Sequence, residues 1–178
     1  MILFSITLFS SIFLLSIGLF LLLKKELFIS FIQNQLRCRL NAIFLFGGGL
    51  VWFLLNILSL SELNFGSHKD LLFIFFLFLG LSSFFLIPDF LAVRGFSVLI
   101  LLLARPLLDL AFLERSKSRL FFIIYIYCNI IIALYLAIFP YKLRDLLIFL
   151  RNKSIWTTIL AFFCLFYGSI LVIVSFNY

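Results

Sequence analysis

Six long apolar runs, joined by short links that hold most of the charged residues, constrain this chain more than any other feature. The runs cover residues 2–23, 42–60, 71–87, 95–113, 120–139 and 155–176. A helix needs about 20 apolar residues to cross a hydrocarbon core about 30 Å thick. Helices satisfy their own backbone hydrogen bonds, whereas membrane strands alternate apolar and polar residues. The uninterrupted runs therefore predict transmembrane helices.

The composition supports a bilayer environment for these helices. Hydrophobic residues make up 66% of the 178 positions and charged residues only 12%, too few to cover a water-soluble domain. We therefore predict an all-α fold, a polytopic integral membrane helical bundle in which residues 1–178 form one transmembrane domain. The formal net charge of +7 is distributed over the links, so nucleic acid is not expected as a partner.

Two of the links are amphipathic and too polar to span a membrane. In residues 27–40, apolar side chains recur every fourth position, and residues 140–153 repeat the theme with Leu143, Leu147 and Leu150. This pattern predicts two basic helices that lie in the membrane interface. Candidate contacts for anionic lipid headgroups or for a partner are Arg37, Arg39, Lys142, Arg144 and Arg151.

The distribution of Lys and Arg predicts an orientation, because these residues are enriched in loops on the cytoplasmic or matrix side. With the N-terminus outside, the inner links hold Lys24, Lys25, Arg37, Arg39, Arg94, Lys142, Arg144, Arg151 and Lys153. The outer links then hold Lys69, Arg115, Lys117 and Arg119. We predict this orientation, in a bacterial or organellar inner membrane. If residues 115–119 are inside instead, the fourth run must be a re-entrant segment.

The fourth run is the only one with Arg, Asp and Pro inside an apolar span. At about 1.5 Å per residue, Arg105 lies roughly 16 Å beyond Arg94, which is close to the membrane midplane if Arg94 marks the edge. Asp109 follows one turn later on the same side of the helix, where the two charges can neutralise each other. Pro106 removes one backbone donor and frees a carbonyl one turn earlier.

Two interpretations of Arg94, Arg105 and Asp109 are open. In the structural one, Arg105 and Asp109 form an internal ion pair that fixes the helix register, with Arg94 at the lipid surface. In the functional one, the three groups line a path for a substrate or a proton. The structural interpretation is favoured because an isolated Arg and Asp pair is not the motif of any particular reaction.

Small and polar residues inside the runs predict helix contacts. Gly47, Gly48, Gly49 and Gly80 are candidate packing positions, since small residues allow the backbones of neighbouring helices to approach. A substrate hinge at the three adjacent glycines is the weaker alternative. In the fifth run, the polar side chains predict a helix in the interior of the bundle, and these are Tyr125, Tyr127, Asn129 and Tyr135.

The sequence offers no signal for a metal, a cofactor or a catalytic set. Cys38, Cys128 and Cys164 are widely spaced and form no CxxC motif. A loop cation site formed by Glu62, His68 and Asp70 would be a poor cage, so a solvated turn is preferred there. We therefore expect neither metal ligands nor catalytic residues.

These observations favour a non-enzymatic multi-pass protein that serves as a structural or accessory subunit of a membrane assembly. The expected partners are anionic lipids and either other membrane subunits or further copies of the chain. The alternative is a small oligomeric transporter or channel with a polar path along Arg94, Arg105 and Asp109. An enzyme that acts on lipid ranks third, because no set of acid, base and nucleophile is visible.

Overall fold

The computed structural model describes residues 2–60, 68–86, 90–114 and 116–178. These residues form eight helices, six of them long and apolar enough to cross a membrane by length and composition. The six long helices are α1 (Ile2–Leu23), α3 (Arg39–Leu58), α4 (Lys69–Leu86), α5 (Leu91–Leu113), α6 (Arg119–Ile138) and α8 (Ser154–Ser175). The two shorter, amphipathic helices are α2 (Lys25–Arg37) and α7 (Tyr141–Asn152). The all-helical class and the six long apolar helices are thus as the sequence predicts.

The first and last helices form an antiparallel pair. The ring of Phe4, at the start of α1, packs edge-on against that of Phe176, just after α8, with centroids 5.7 Å apart. A Cβ placed on Gly18 near the end of α1 would meet the Leu165 side chain at 2.8 Å. Glycine at such a position lets the two helices approach closely along their length.

The remaining long helices form the other half of the bundle. A Cβ on Gly49 of α3 would meet Val98 of α5 at 3.3 Å, and Gly95 of α5 lies against the backbone of Phe46, so α3 and α5 run parallel. Helix α4 runs antiparallel to α3, since Phe46 packs on Phe84 and Phe53 packs on Phe76, with ring centroids 5.2 and 5.1 Å apart. The two halves meet in a core formed by α1, α5, α6 and α8, which contains Leu3, Ala104, Ala111, Phe122, Ile123, Ile126 and Leu171.

Helices α2 and α7 pack against each other at one end of the bundle. Their apolar sides meet in a cluster of Ile29, Leu147 and Leu150, and an ion pair of 3.1 Å joins Arg151 to Glu26. We call this end, where α1 finishes and α3, α5 and α8 begin, the basic end. The cationic residues there are Lys24, Lys25, Arg37, Arg39, Arg94, Lys142, Arg144, Arg151 and Lys153.

Two sequence-based expectations concern individual helices. A re-entrant fourth run requires the chain to reverse within residues 95–113, whereas α5 is a single helix of 23 residues that continues through Pro106. The four polar side chains expected on the interior side of α6 are divided. Tyr125 packs against the core and Asn129 is partly buried, whereas Tyr127 and Tyr135 are exposed. The fully buried positions of this helix are apolar and include Phe122 and Ile126.

Candidate functional site

A cleft of about 680 Å³ opens between α3, α4 and α5 at the end of the bundle opposite the basic end. Helices α3 and α5 run parallel here, and α4 packs mainly on α3. The walls are largely apolar, with Trp52 and Phe53 from α3 and Phe76 from α4. Polar groups enter this wall at Arg105 and Asp109 of α5 and at Asn56 and Ser59 near the end of α3.

Arg105 and Asp109 share the cleft, as their four-residue spacing implies, but they do not form a salt bridge. Both residues are exposed, and within the residues that the structure describes neither has an ion-pair or hydrogen-bond partner. The ion pair expected from the spacing is therefore not formed. Two opposite charges therefore lie one helical turn apart in the cleft, where another molecule could pair with them.

The remaining polar groups of the cleft are partly satisfied within their own helix. Asn56 donates through Nδ2 to the carbonyl oxygen of Trp52 at 3.1 Å, and its side-chain oxygen accepts no hydrogen bond within the described residues. Ser59 donates to the Asn56 carbonyl oxygen at 2.8 Å. Pro106 lacks the N–H that would bind the carbonyl of Leu102, and both residues line the cleft. The cleft thus presents acceptors together with a single cation.

Arg94 is separated from this cleft. It lies one turn into α5, at the basic end, and does not line the cavity of Arg105 and Asp109. Its Nε is buried and makes no hydrogen bond within the described part of the chain. Between the two arginines, Gly95 lies against Phe46, and the buried Ser97 hydroxyl donates to the carbonyl oxygen of Val93 on its own helix. The structure therefore does not bring the three charged residues to one site.

The four glycines expected at helix contacts fall into two groups. Gly49 and Gly80 are buried, and a Cβ on Gly80 would collide with the Leu50 side chain. A Cβ on Gly47 or Gly48 would meet no atom within 4 Å in the described structure. These two glycines face away from the neighbouring helices, so packing within the chain does not require them.

The basic residues expected to contact lipid or a partner lie around α2 and α7. Lys142, Arg144 and Arg151 are exposed on α7, and Arg39 is exposed at the start of α3. The backbone of Arg37 belongs to α2, but its side chain lies outside the described residues, as do Arg115 and Glu62. Within the described ranges, no three His, Cys, Asp or Glu side chains cluster in a way that could hold a metal ion.

The small residues between α1 and α8 were missed at the sequence level. Ser11 and Gly18 are seven residues apart on α1, and Ala161, Gly168 and Ser175 are spaced by seven on α8; all are buried. A seven-residue repeat of small side chains is the signal of a close helix pair.

Comparison of the chain with protein-family models, curated proteins and solved structures gives no significant match.

Proposed function

We propose that the chain is a multi-pass integral membrane protein with no enzymatic role, which acts as an accessory subunit of a membrane assembly. Its six long apolar helices span the bilayer, α2 and α7 lie in the interface, and the basic end faces the cytoplasm or the matrix of an inner membrane. The basis is the composition of the helices and the excess of Lys and Arg at one end.

The observation that supports a docking role is the unpaired state of Arg105 and Asp109. Arg105 lies eight residues before the end of α5, or about 12 Å along the helix, and Asp109 lies about 6 Å from the same end. A charged side chain at that depth costs a few kcal/mol on insertion scales unless protein or water surrounds it. Neither side chain has a partner within the described chain, and a helix of another subunit in the cleft would shield both from lipid.

A transmembrane helix of another subunit fits this cleft. The opening is lined by three helices, and its largely apolar wall offers packing surface for a further helix. A partner helix with an acidic and a basic residue one turn apart would pair with Arg105 and Asp109. Such pairing in a low-dielectric environment favours the correct partner and penalises others.

Transport along Arg94, Arg105 and Asp109 is the competing proposal and has less support. Between the two arginines, Gly95 is in tight contact with Phe46 and Ser97 is fully buried. The cleft therefore does not extend to Arg94. Flux measurements in proteoliposomes separate the two proposals. Flux that is lost in Arg105→Ala and Asp109→Asn would favour transport, whereas no difference from wild type removes it.

The docking proposal is tested by photo-crosslinking in the native membrane. A photoreactive phenylalanine analogue at Asn56, inside the cleft, is expected to give one discrete adduct that disappears when Arg105→Ala and Asp109→Asn are combined. The control places the same analogue at Leu103, an exposed residue of α5 that does not line the cleft. The same adduct from both positions, or an adduct from Asn56 that persists in the double variant, would contradict docking through this cleft.

A further inference from the structure

A second cavity, of about 490 Å³, lies at the basic end between α2 and α7, beside the start of α5. Polar side chains enter it from both amphipathic helices, with Gln33 and Asn34 on α2 and Arg144, Arg151 and Asn152 on α7. We name it the polar cleft. Arg144 and Arg151 are among the candidate lipid contacts, and the docking of a subunit in the first cleft uses none of these residues.

The described residues that line the polar cleft carry hydrogen-bond donors, and no carboxylate is among them. The carboxamides of Gln33, Asn34 and Asn152 make no hydrogen bond within the described residues. Arg144 and Arg151 are seven residues apart on α7, so their guanidinium groups project from the same side of the helix. A cavity with two cations and three unused carboxamides is matched by an anion with several acceptor oxygens.

The two carboxylates nearest these arginines hold them in position rather than fill the cavity. Asp145 accepts from Arg144 at 3.1 Å, and Glu26 accepts from Arg151 at 3.1 Å, but neither acidic residue lines the cleft. The Arg144 guanidinium also lies 5.8 Å from the centroid of the Phe90 ring, which borders the cavity. Each guanidinium has five N–H donors, so one carboxylate contact leaves donors for a ligand.

An apolar groove adjoins the polar cleft around α2. This groove of about 670 Å³ lies between α1 and α2, and Phe13, Ile17, Phe20 and Phe31 contribute to its walls. Asn34 lines both cavities. A cationic cavity that continues into an apolar groove matches an amphiphile with an anionic head and a hydrocarbon tail.

We infer that α2 and α7 form a binding site for an anionic phospholipid, with the phosphate in the polar cleft and an acyl chain in the groove of α1 and α2. A free phosphate ion shares the headgroup chemistry, but it would leave the apolar groove empty. The inference rests on the proposed membrane insertion, not on the docking of another subunit. Combined Arg105→Ala and Asp109→Asn substitutions are therefore expected to leave lipid binding unchanged.

The test is native mass spectrometry of the delipidated full-length protein in a nonionic detergent, with phosphatidylglycerol as the probe. Wild type is expected to retain one phosphatidylglycerol molecule. Phosphatidylcholine, inorganic phosphate and the deacylated headgroup, each at the same concentration as phosphatidylglycerol, are expected not to displace it. The double variant R144Q/R151Q is expected to bind about tenfold more weakly or worse, since it loses charge-assisted donors. The variant K25Q/K153Q removes the same charge from two residues of the basic end that line neither the polar cleft nor the apolar groove, and its affinity is expected to change less than about twofold.

Two further variants separate lipid binding from an effect on folding. E26Q also breaks the ion pair with Arg151, but it leaves the arginine free for the phosphate, so lipid affinity is expected to be kept or increased. R144K/R151K keeps the charges and is expected to bind with intermediate affinity. The phospholipid site would be overturned if E26Q or K25Q/K153Q lost as much lipid affinity as R144Q/R151Q, or if inorganic phosphate competed as well as phosphatidylglycerol.

Discussion

A methyl group placed on Gly95 would lie 2.6 Å from the Cα of Phe46, so α5 and α3 touch through their backbones at this point. No side-chain adjustment can relieve such a contact, because the obstructing atoms belong to the main chain of the neighbouring helix. The contact also fixes the position of α5 at the basic end, where Leu91, Ala92 and Val93 are buried. The register of Arg105 and Asp109 in their cleft depends on it, since both lie further along the same helix.

The first prediction is that Gly95→Ala destabilises the bundle although alanine is the better helix former. The added methyl forces α3 and α5 apart, and overpacking of this kind costs about 1–3 kcal/mol. Gly48→Ala is the matched control. Its Cβ meets open space in the described structure, so the higher helix propensity leaves stability unchanged or raises it by up to about 1 kcal/mol. Unfolding by SDS titration measures both, and equal effects would contradict the Gly95 contact.

The second prediction concerns the buried hydroxyl of Thr157, which joins α8 to α7. Thr157 donates to the Leu150 carbonyl oxygen at 2.6 Å, and this carbonyl is in the last turn of α7, where no backbone donor follows within the helix. Thr157→Val keeps the shape but leaves the carbonyl without that donor, at a cost of about 1–3 kcal/mol.

Thr158→Val is its control, since the exposed Thr158 hydroxyl only donates to the Ser154 carbonyl on the same helix, at 3.1 Å. The same SDS titration is expected to show a loss for Thr157→Val and a change within about 0.5 kcal/mol for Thr158→Val. If both variants unfold at the wild-type SDS concentration, the Thr157 hydroxyl does not stabilise the junction.

The third prediction tests the small-residue contact between α1 and α8. A Cβ on Gly168 would stand 3.0 Å from the Leu15 side chain and 3.3 Å from the Leu15 backbone nitrogen. Gly168→Leu is therefore expected to separate the two helices and to lower stability by about 1–3 kcal/mol or more. Ser169→Leu adds a side chain of the same size at the next, exposed position and is expected to be neutral. The SDS titration measures both variants, and equal effects would contradict the close contact of Gly168 with Leu15.

The sequence predicts the helices well but their contacts poorly. A run such as residues 155–176 predicts α8 within a residue or two because length and hydropathy are local properties. Gly47, Gly48 and Gly95 look alike in the sequence, and only the rotation of each helix decides which one meets a neighbour. The seven-residue spacing of Ala161 and Gly168 indicates a helix contact, but the small residues that it packs against lie in the first helix, at the other end of the sequence.

In the candidate site, too, the sequence predicts the positions of residues along a helix but not the contacts between helices. The four-residue spacing correctly places Arg105 and Asp109 on one side of α5, since helix geometry alone determines this. It does not determine that α3 and α5 run parallel and leave an opening beside them. Whether the two side chains pair depends on that opening, because exposed charges can be solvated or bind another partner instead of forming a salt bridge with each other. The sequence suggests a common path for Arg94 and these two residues, although the packing of α3 on α5 separates Arg94 from the cleft.

The last prediction concerns orientation, which follows from the excess of cationic residues at the basic end. Of two single-cysteine variants in a cysteine-free background, Lys24→Cys lies at the basic end and Lys117→Cys at the opposite end, and both positions are exposed. In intact bacterial cells, an impermeant maleimide should label Lys117→Cys alone, because positively charged links are retained on the cytoplasmic side. Permeabilised cells provide the control, as both cysteines should then react. Labelling of Lys24→Cys alone would mean that the basic end lies outside, opposite to the predicted orientation. Labelling of both cysteines in intact cells would mean that these ends do not lie on opposite sides of a membrane.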